Sequence, residues 1–138
     1  MNDVRAETNI DKSKREIYDH LTGNACSIFY NRKSVEVFVA AAAIGFYYKK
    51  REPIKGVKHS LYPMNLYRSD DPNLWMFKSI AIATDGVDVL RNLKNVASIV
   101  EEYANAGIDI LYERSKNADE LYSMAHELLE ILELEGVQ

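Results

Sequence analysis

Residues 34–51 carry the strongest helical signal of the chain, because their large apolar side chains recur at intervals of three and four residues. Four consecutive alanines, residues 40–43, make the segment apolar on nearly all sides, which is typical of a helix in the middle of a bundle. Ser34 suits its N-cap, and Pro53 ends it because the residue before a proline avoids the α conformation. Gly45 costs about 1 kcal/mol relative to alanine inside a helix, so it indicates a close helix crossing or an early end.

Five further segments show apolar residues at helical spacing. They are residues 11–21, 72–85, 87–93, 95–111 and 117–132. Asp70, Asp71 and Pro72 form a compact helix-start signal, and Asn117 with Glu120 has the arrangement of a capping box that would begin a separate last helix. Gly107 again indicates a close crossing, and we find no clear strand alternation.

These signals predict an all-α fold: a single compact bundle of five or six helices with a long ordered loop, residues 54–73, after the second helix. We expect residues 1–10 to form a flexible N-terminal arm and residues 11–138 to form one helical domain. The longest apolar stretch, residues 37–46, is about half of the ~20 residues that a membrane span requires, so we expect no membrane association. Cys26 is the only cysteine, which excludes an internal disulfide and favours a cytoplasmic protein.

Catalytic and metal sites leave characteristic spacings, and the sequence contains none of the common ones. Its three histidines, His20, His59 and His126, are scattered, and neither an HExxH nor a CxxC pattern is present. Cys26 could meet His20 or His59 in space, but a lone cysteine in such a chain is typically a small buried apolar residue. The phosphate-binding patterns GxGxxG and GxxxxGK[ST] are missing too. We therefore expect no enzymatic activity, no metal and no cofactor.

Charge is distributed unevenly along the chain, although its net value is −4. Residues 1–68 contain twelve Lys or Arg against seven Asp or Glu, whereas residues 69–138 contain five against fourteen. Such a division indicates an acidic partner for the first half, or an electrostatic contact with the chain's own acidic half or with another subunit. Cations mixed with tyrosines suit a phosphate backbone and stacked bases. The candidate nucleic-acid contacts are Lys49, Lys50, Arg51, Lys55 and Lys58, with Tyr62 and Arg68 as outer members.

Two blocks of sequence also carry a family resemblance. The first is residues 37–46 (VFVAAAAIGF) followed by residues 49–54 (KKREPI), and the second is residues 101–111 (EEYANAGIDIL). Their composition and spacing, which cover most of residues 13–114, resemble the small Dnd-system-associated proteins. These are encoded beside DNA phosphorothioation and related anti-phage defence genes in bacteria. The resemblance implies an accessory, non-enzymatic role with DNA or a DNA-handling complex as partner, and it supplies no catalytic residue.

We therefore expect a non-catalytic accessory protein of a phosphorothioation-type defence system, which binds DNA or a DNA-handling complex through residues 49–58, hereafter the basic segment. The alternative is a structural assembly or adaptor subunit, in which apolar and acidic helix faces dock a larger defence enzyme or a second copy of the chain. Salt dependence distinguishes the two, because phosphate contacts weaken steeply as salt rises whereas a mainly apolar contact does not.

Overall fold

The computed structural model describes residues 7–25 and 27–134, and this part of the chain contains four α-helices, three short 3-10 helices and two strands. The order is β1 (Glu7–Asp11), α1 (Arg15–Gly23), α2 (Ser34–Tyr47), β2 (Lys58–Pro63), α3 (Pro72–Asp85) and α4 (Leu93–Leu134). The 3-10 helices are Lys12–Lys14, Met64–Leu66 and Val87–Arg91. The prediction of a mostly helical chain is confirmed, but the all-α class is wrong because a small sheet is present.

The sheet is formed by segments that the sequence assigns to the flexible arm and to the long loop. β1 and β2 pair antiparallel, with Thr8 opposite Tyr62 and Ile10 opposite His59. Residues 7–10 therefore belong to a strand, and residues 1–6 of the predicted arm lie outside the described residues. Thr8 and Ile10 are buried and alternate with less buried neighbours, which is the period of a strand. Glu7–Asp11 is mostly polar, so its sequence shows no clear alternation of apolar and polar residues. The alternation is one of burial, and it arises because the strand packs against α4.

The centre of the fold is the crossing of α2 and α4, where two glycines bring the helix backbones into contact. A Cβ atom added at Gly107 would overlap the carbonyl oxygen of Ala41 and lie 2.9 Å from the backbone nitrogen of Gly45. One added at Gly45 would overlap the carbonyl oxygen of Tyr103. Both predictions of a close crossing are therefore confirmed. The core side chains around it include Val37, Phe38, Ala42, Val96, Val100, Ala104 and Ile108, all of them buried.

The end of α2 differs from the prediction, because the helix ends at Tyr47 and not at residue 51. Lys49 has a φ of 57°, the left-handed conformation that commonly follows a helix. Its backbone N–H donates to the carbonyl oxygen of Phe46 (3.0 Å), and that of Lys50 donates to Gly45 (2.9 Å). This pair of bonds is a Schellman motif, formed here with a lysine in the position that usually holds glycine. Residues 49–51 are thus a loop, not the last turn of a helix.

The last two predicted helices are one helix. α4 runs from Leu93 to Leu134 without a break, so the separate start predicted at Asn117 is wrong. A capping signal describes what a residue can do at a helix end, but neither proline nor glycine interrupts residues 108–134 to create such an end. The start predicted for α3 is confirmed, because the Asp71 carboxylate accepts a hydrogen bond from the backbone N–H of Asn73 (2.8 Å).

Candidate binding surfaces

The loop that follows α2 is fixed onto α4. The backbone N–H of Glu52 donates to the carbonyl oxygen of Glu102 (3.0 Å), and the side-chain amide of Asn105 donates to the carbonyl oxygen of Glu52 (3.1 Å). Arg51 forms an ion pair with the Glu102 carboxylate (3.0 Å), and its guanidinium lies 5.3 Å from the centre of the Tyr103 ring. Arg51, one of the candidate nucleic-acid contacts, therefore forms its ion pair with a residue of the chain's own acidic half.

Lys58 has a comparable role at the start of β2. Its ammonium lies 3.1 Å from the carboxylate of Glu101, whose side chain is only 6% exposed. A carboxylate with so little access to water is strongly destabilising without a counter-charge, so Lys58 supports the fold. The charged groups of Arg68 and Asp70 lie 3.3 Å apart but are 85% and 74% exposed, which makes their pair weak.

Three of the seven candidate contacts keep their charge available. Lys49, Lys50 and Lys55, hereafter the loop lysines, are exposed and make no ion pair with any residue that the structure describes. Tyr62, an outer candidate, packs its ring 4.7 Å from that of Tyr67, and its hydroxyl donates to the carbonyl oxygen of Leu66 (3.4 Å). The basic segment is therefore divided between two paired cations and three unpaired lysines.

A charge cluster around Lys14 was not predicted from the sequence. The Lys14 ammonium donates to Asp109 (2.9 Å), to Glu52 (3.0 Å) and to the carbonyl oxygen of Asn105 (2.7 Å). Partial burial alone would lower the pKa of Lys14, but its hydrogen bonds to Asp109 and Glu52 outweigh this effect and raise the pKa. These partners are far apart in sequence, so no local pattern could reveal the cluster, which joins the start of α1, the loop after α2 and α4.

The last described turns of α4 present an uncovered apolar face. We call residues 125–133 the α4 tip; at about 100° per residue, its apolar residues fall within an arc of roughly 160°. Leu128 is 58% exposed, Leu129 59%, Ile131 46% and Leu132 43%. The other side of the helix carries Glu127, Glu130 and Glu133. The amphipathic pattern is visible in the sequence, which predicts a helix over residues 117–132 as part of the bundle, and the structure leaves the large apolar residues of the tip exposed.

A second uncovered apolar surface lies between α2 and α3. It is a groove of about 520 Å³, and we call it the α2–α3 groove. Its lining residues are Ala43, Phe46, Tyr47, Lys49, Met76, Ser79, Ile80 and Ala83. Tyr47 is 76% exposed, and the loop lysine Lys49 is the only charged residue of the lining. The groove is not signalled in the sequence, because it depends on how far α2 and α3 separate.

The residues weighed for catalysis and metal binding have other contacts. The His20 ring packs edge-on against Tyr112, His59 contacts the guanidinium of Arg15, and His126 lies 3.3 Å from the Glu130 carboxylate. Within residues 7–25 and 27–134, no group of three or more His, Cys, Asp or Glu side chains could hold a metal ion. Cys26 lies outside the described residues. No helix in this part of the chain has the length and apolar character needed to cross a membrane.

The two sequence blocks that carry the family resemblance meet in space. Gly45 of the first block contacts the second block beside Gly107, and Arg51 of the first pairs with Glu102 of the second. Their characteristic residues therefore form one packing unit, the α2–α4 crossing and the loop fixed to it.

Comparison with known proteins agrees with this resemblance. A family model described as DNA sulphur modification system-associated protein 4 matches residues 7–136, which is nearly the whole chain. The family predicted from the two sequence blocks is therefore confirmed. Searches of curated proteins and of solved structures gave no match.

Proposed function

Because the chain belongs to the DNA sulphur modification system-associated protein 4 family, we propose that it is a non-catalytic assembly subunit of such a system, which binds other protein chains through the α4 tip. The family is associated with DNA sulphur modification systems, which supports an accessory role. The exposed apolar face of the tip supports protein docking as the way in which it acts.

The arrangement of the α4 tip carries this proposal. Single exposed apolar residues are common on protein surfaces, but a contiguous apolar face with a polar rim is typical of a protein–protein contact. Four large aliphatic side chains lie here on one helix face, each at least 43% exposed, and acidic residues cover the other face. An amphipathic helix of this kind binds a partner by laying its apolar side into a groove.

Affinity purification of the tagged protein from its native host tests the proposal, with and without nuclease. The double variant Leu128→Glu with Leu132→Glu places charges on the apolar face and retains good helix formers. Leu66→Glu is the matched control, since Leu66 is 58% exposed, as Leu128 is, but lies outside the α4 tip. We expect proteins of the modification system to be recovered after nuclease with the parent chain and the control, but not with the double variant. Recovery of the same proteins with all three chains would contradict docking through the tip.

A second candidate function, contact with DNA, rests on the loop lysines. Three exposed cations, none of them paired with a described residue, fall within seven residues, and each phosphate contact contributes a salt-dependent increment to affinity. Replacing Lys49, Lys50 and Lys55 with Glu should weaken DNA binding and reduce the steepness of the fall of log affinity with log salt by about 3. Replacing the exposed residues Lys12, Lys33 and Lys94 with Glu gives a matched change of net charge elsewhere. Equal weakening by both sets would show that only the overall charge matters.

A further inference from the structure

The chain exposes two apolar surfaces of complementary character. The α4 tip is a helix face with Glu127 and Glu133 at the two edges of its apolar arc, whereas the α2–α3 groove is apolar with Lys49 in its lining. Lys50 adds a second exposed cation next to Lys49. Neither Glu127 nor Glu133 forms an ion pair with a described residue, and the same is true of the two lysines. An exposed apolar helix face with acidic edges and an apolar groove with exposed cations beside it thus belong to the same sequence.

The tip does not cover the groove of its own chain. α4 is one continuous helix of 42 residues, about 63 Å long, and residues 125–133 at its end are exposed. Two tips packed against each other would also cover apolar surface, but they would bring four glutamates together, Glu127 and Glu133 of each chain. Like charges along the edges of a paired helix disfavour that contact. The groove of a second copy has no such conflict, because its only charged lining residue is Lys49.

From this complementarity we propose that the α4 tip of one chain binds the α2–α3 groove of a second copy, and that the exchange is reciprocal. The leucines of the tip occupy the groove between Phe46 and Met76, while Glu127 or Glu133 approaches Lys49. Since each chain supplies one tip and one groove, two chains can satisfy both contacts in a closed pair, without forming an open filament. This proposal rests on the proposed function, because it identifies a second copy of the chain as a partner that the α4 tip binds.

Four purified chains test the pairing by sedimentation or light scattering: the parent, a tip variant, a groove variant and the control Leu66→Glu. The parent should have twice the mass of the 15.8 kDa chain. The tip variant is Leu128→Glu with Leu132→Glu, and the groove variant is Ala83→Glu, which places a carboxylate at an exposed position of the lining. The tip variant should raise the dissociation constant of the pair by about 100-fold or more, because it removes two buried leucines and each contributes roughly tenfold. The groove variant should also weaken the pair, because the contact would bury its new carboxylate against the leucines of the tip. Leu66→Glu should leave the mass unchanged, and circular dichroism should show all chains folded.

Mixing the two variants gives the sharpest result. The tip variant retains an intact groove and the groove variant retains an intact tip, so their mixture should form a heterodimer through one native contact. Pairing of tip with tip predicts instead that Ala83→Glu still dimerises and that mixing restores nothing, and this result would overturn the proposal. A parent chain that remains monomeric at high concentration would overturn it as well.

The same variants separate this inference from the proposed function. If the parent is monomeric but the tip variant still loses host proteins in the affinity purification, the tip binds a different chain. Docking through the tip then stands and self-pairing is excluded. If the tip variant retains both its dimeric mass and its host partners, both proposals are refuted.

Discussion

Replacing Gly107 with alanine tests the packing that the two family blocks create. In an open helix this change stabilises by about 1 kcal/mol, because glycine is the poorer helix former. In this protein the new methyl group would overlap the carbonyl oxygen of Ala41 and lie 2.8 Å from its carbonyl carbon. Both atoms belong to backbone, so no side chain can rotate away to make room.

The magnitude follows from the distance by which α2 and α4 would have to separate. Ordinary carbon–carbon contact begins at about 3.5 Å, so a carbon atom at 2.8 Å requires a shift of at least about 0.7 Å. A gap of that size removes roughly a quarter to a half of the dispersion energy of each contact across the interface. Overpacking typically costs 1–3 kcal/mol, and a clash with backbone lies at the upper end. After the gain in helix propensity of about 1 kcal/mol, we expect a net loss of about 2 kcal/mol.

Chemical denaturation of the parent and of Gly107→Ala measures the effect. Gly23→Ala is the matched control, because Gly23 also lies in an α-helix but has nothing within 4 Å of an added Cβ atom. The control should be neutral or stabilising. The double variant Gly45→Ala with Gly107→Ala should lose less than the sum of its single changes, since one separation of the helices accommodates both methyl groups. If Gly107→Ala is as stable as the parent, the backbones are not in contact at this crossing and the reasoning fails.

Three further predictions concern the loop lysines, Lys58 and Tyr67. Lys58→Met should lower the free energy of unfolding by about 1–2 kcal/mol, since it leaves the nearly buried Glu101 carboxylate without its counter-charge. Lys55→Met, the control, should lower it by less than about 0.5 kcal/mol. Equal losses of unfolding free energy in the two variants would contradict the ion pair. Lys49→Gly should stabilise the fold by about 0.5–1 kcal/mol and Lys49→Ala should not, because only glycine readily adopts a φ of 57°. Equal melting temperatures of these two variants would refute this. The Tyr67 hydroxyl is buried without a hydrogen-bond partner among the described residues, so Tyr67→Phe should be neutral or stabilising at pH 7. Burial, together with the charge of Asp71, raises the pKa of Tyr67 from 10.0 to about 12, so the folded state keeps its proton at pH values where the unfolded chain releases it. The stability from this protonation is present below pH 10 and is lost as the pH rises towards 12; Tyr67→Phe should remove that part of the alkaline loss, and an unchanged pH profile of denaturation would count against it.

Much of the helical architecture is predictable because its signals are local. The Asp71 cap precedes α3 as expected, the apolar periodicity of α2 marks the central helix, and Gly45 and Gly107 lie at its crossing with α4. The sheet was missed because Glu7–Asp11 is mostly polar and only five residues long. It forms a strand by pairing with Lys58–Pro63, which is distant in sequence, so no local pattern predicts it. The break expected at Asn117 was wrong because capping residues favour a helix start but do not enforce one.

The candidate site was only partly predictable, because the sequence cannot assign partners to charges. It identified the basic segment and the acidic second half, and it left open whether the two bind each other. In the structure Arg51 pairs with Glu102 and Lys58 with Glu101, over separations of 51 and 43 residues, while Lys49, Lys50 and Lys55 keep their charges available.

By itself, then, the sequence determined the family, the mostly helical class and the close-packed glycines, since these depend on residue type and on spacing within a few turns. Only the tertiary structure decided which cations are neutralised, where the α2–α3 groove lies and that the leucines of the α4 tip remain exposed. An amphipathic helix has the same sequence pattern whether its apolar face is covered by its own chain or by a partner. The difference depends on whether any other element reaches that face, and for the α4 tip none of the described elements does.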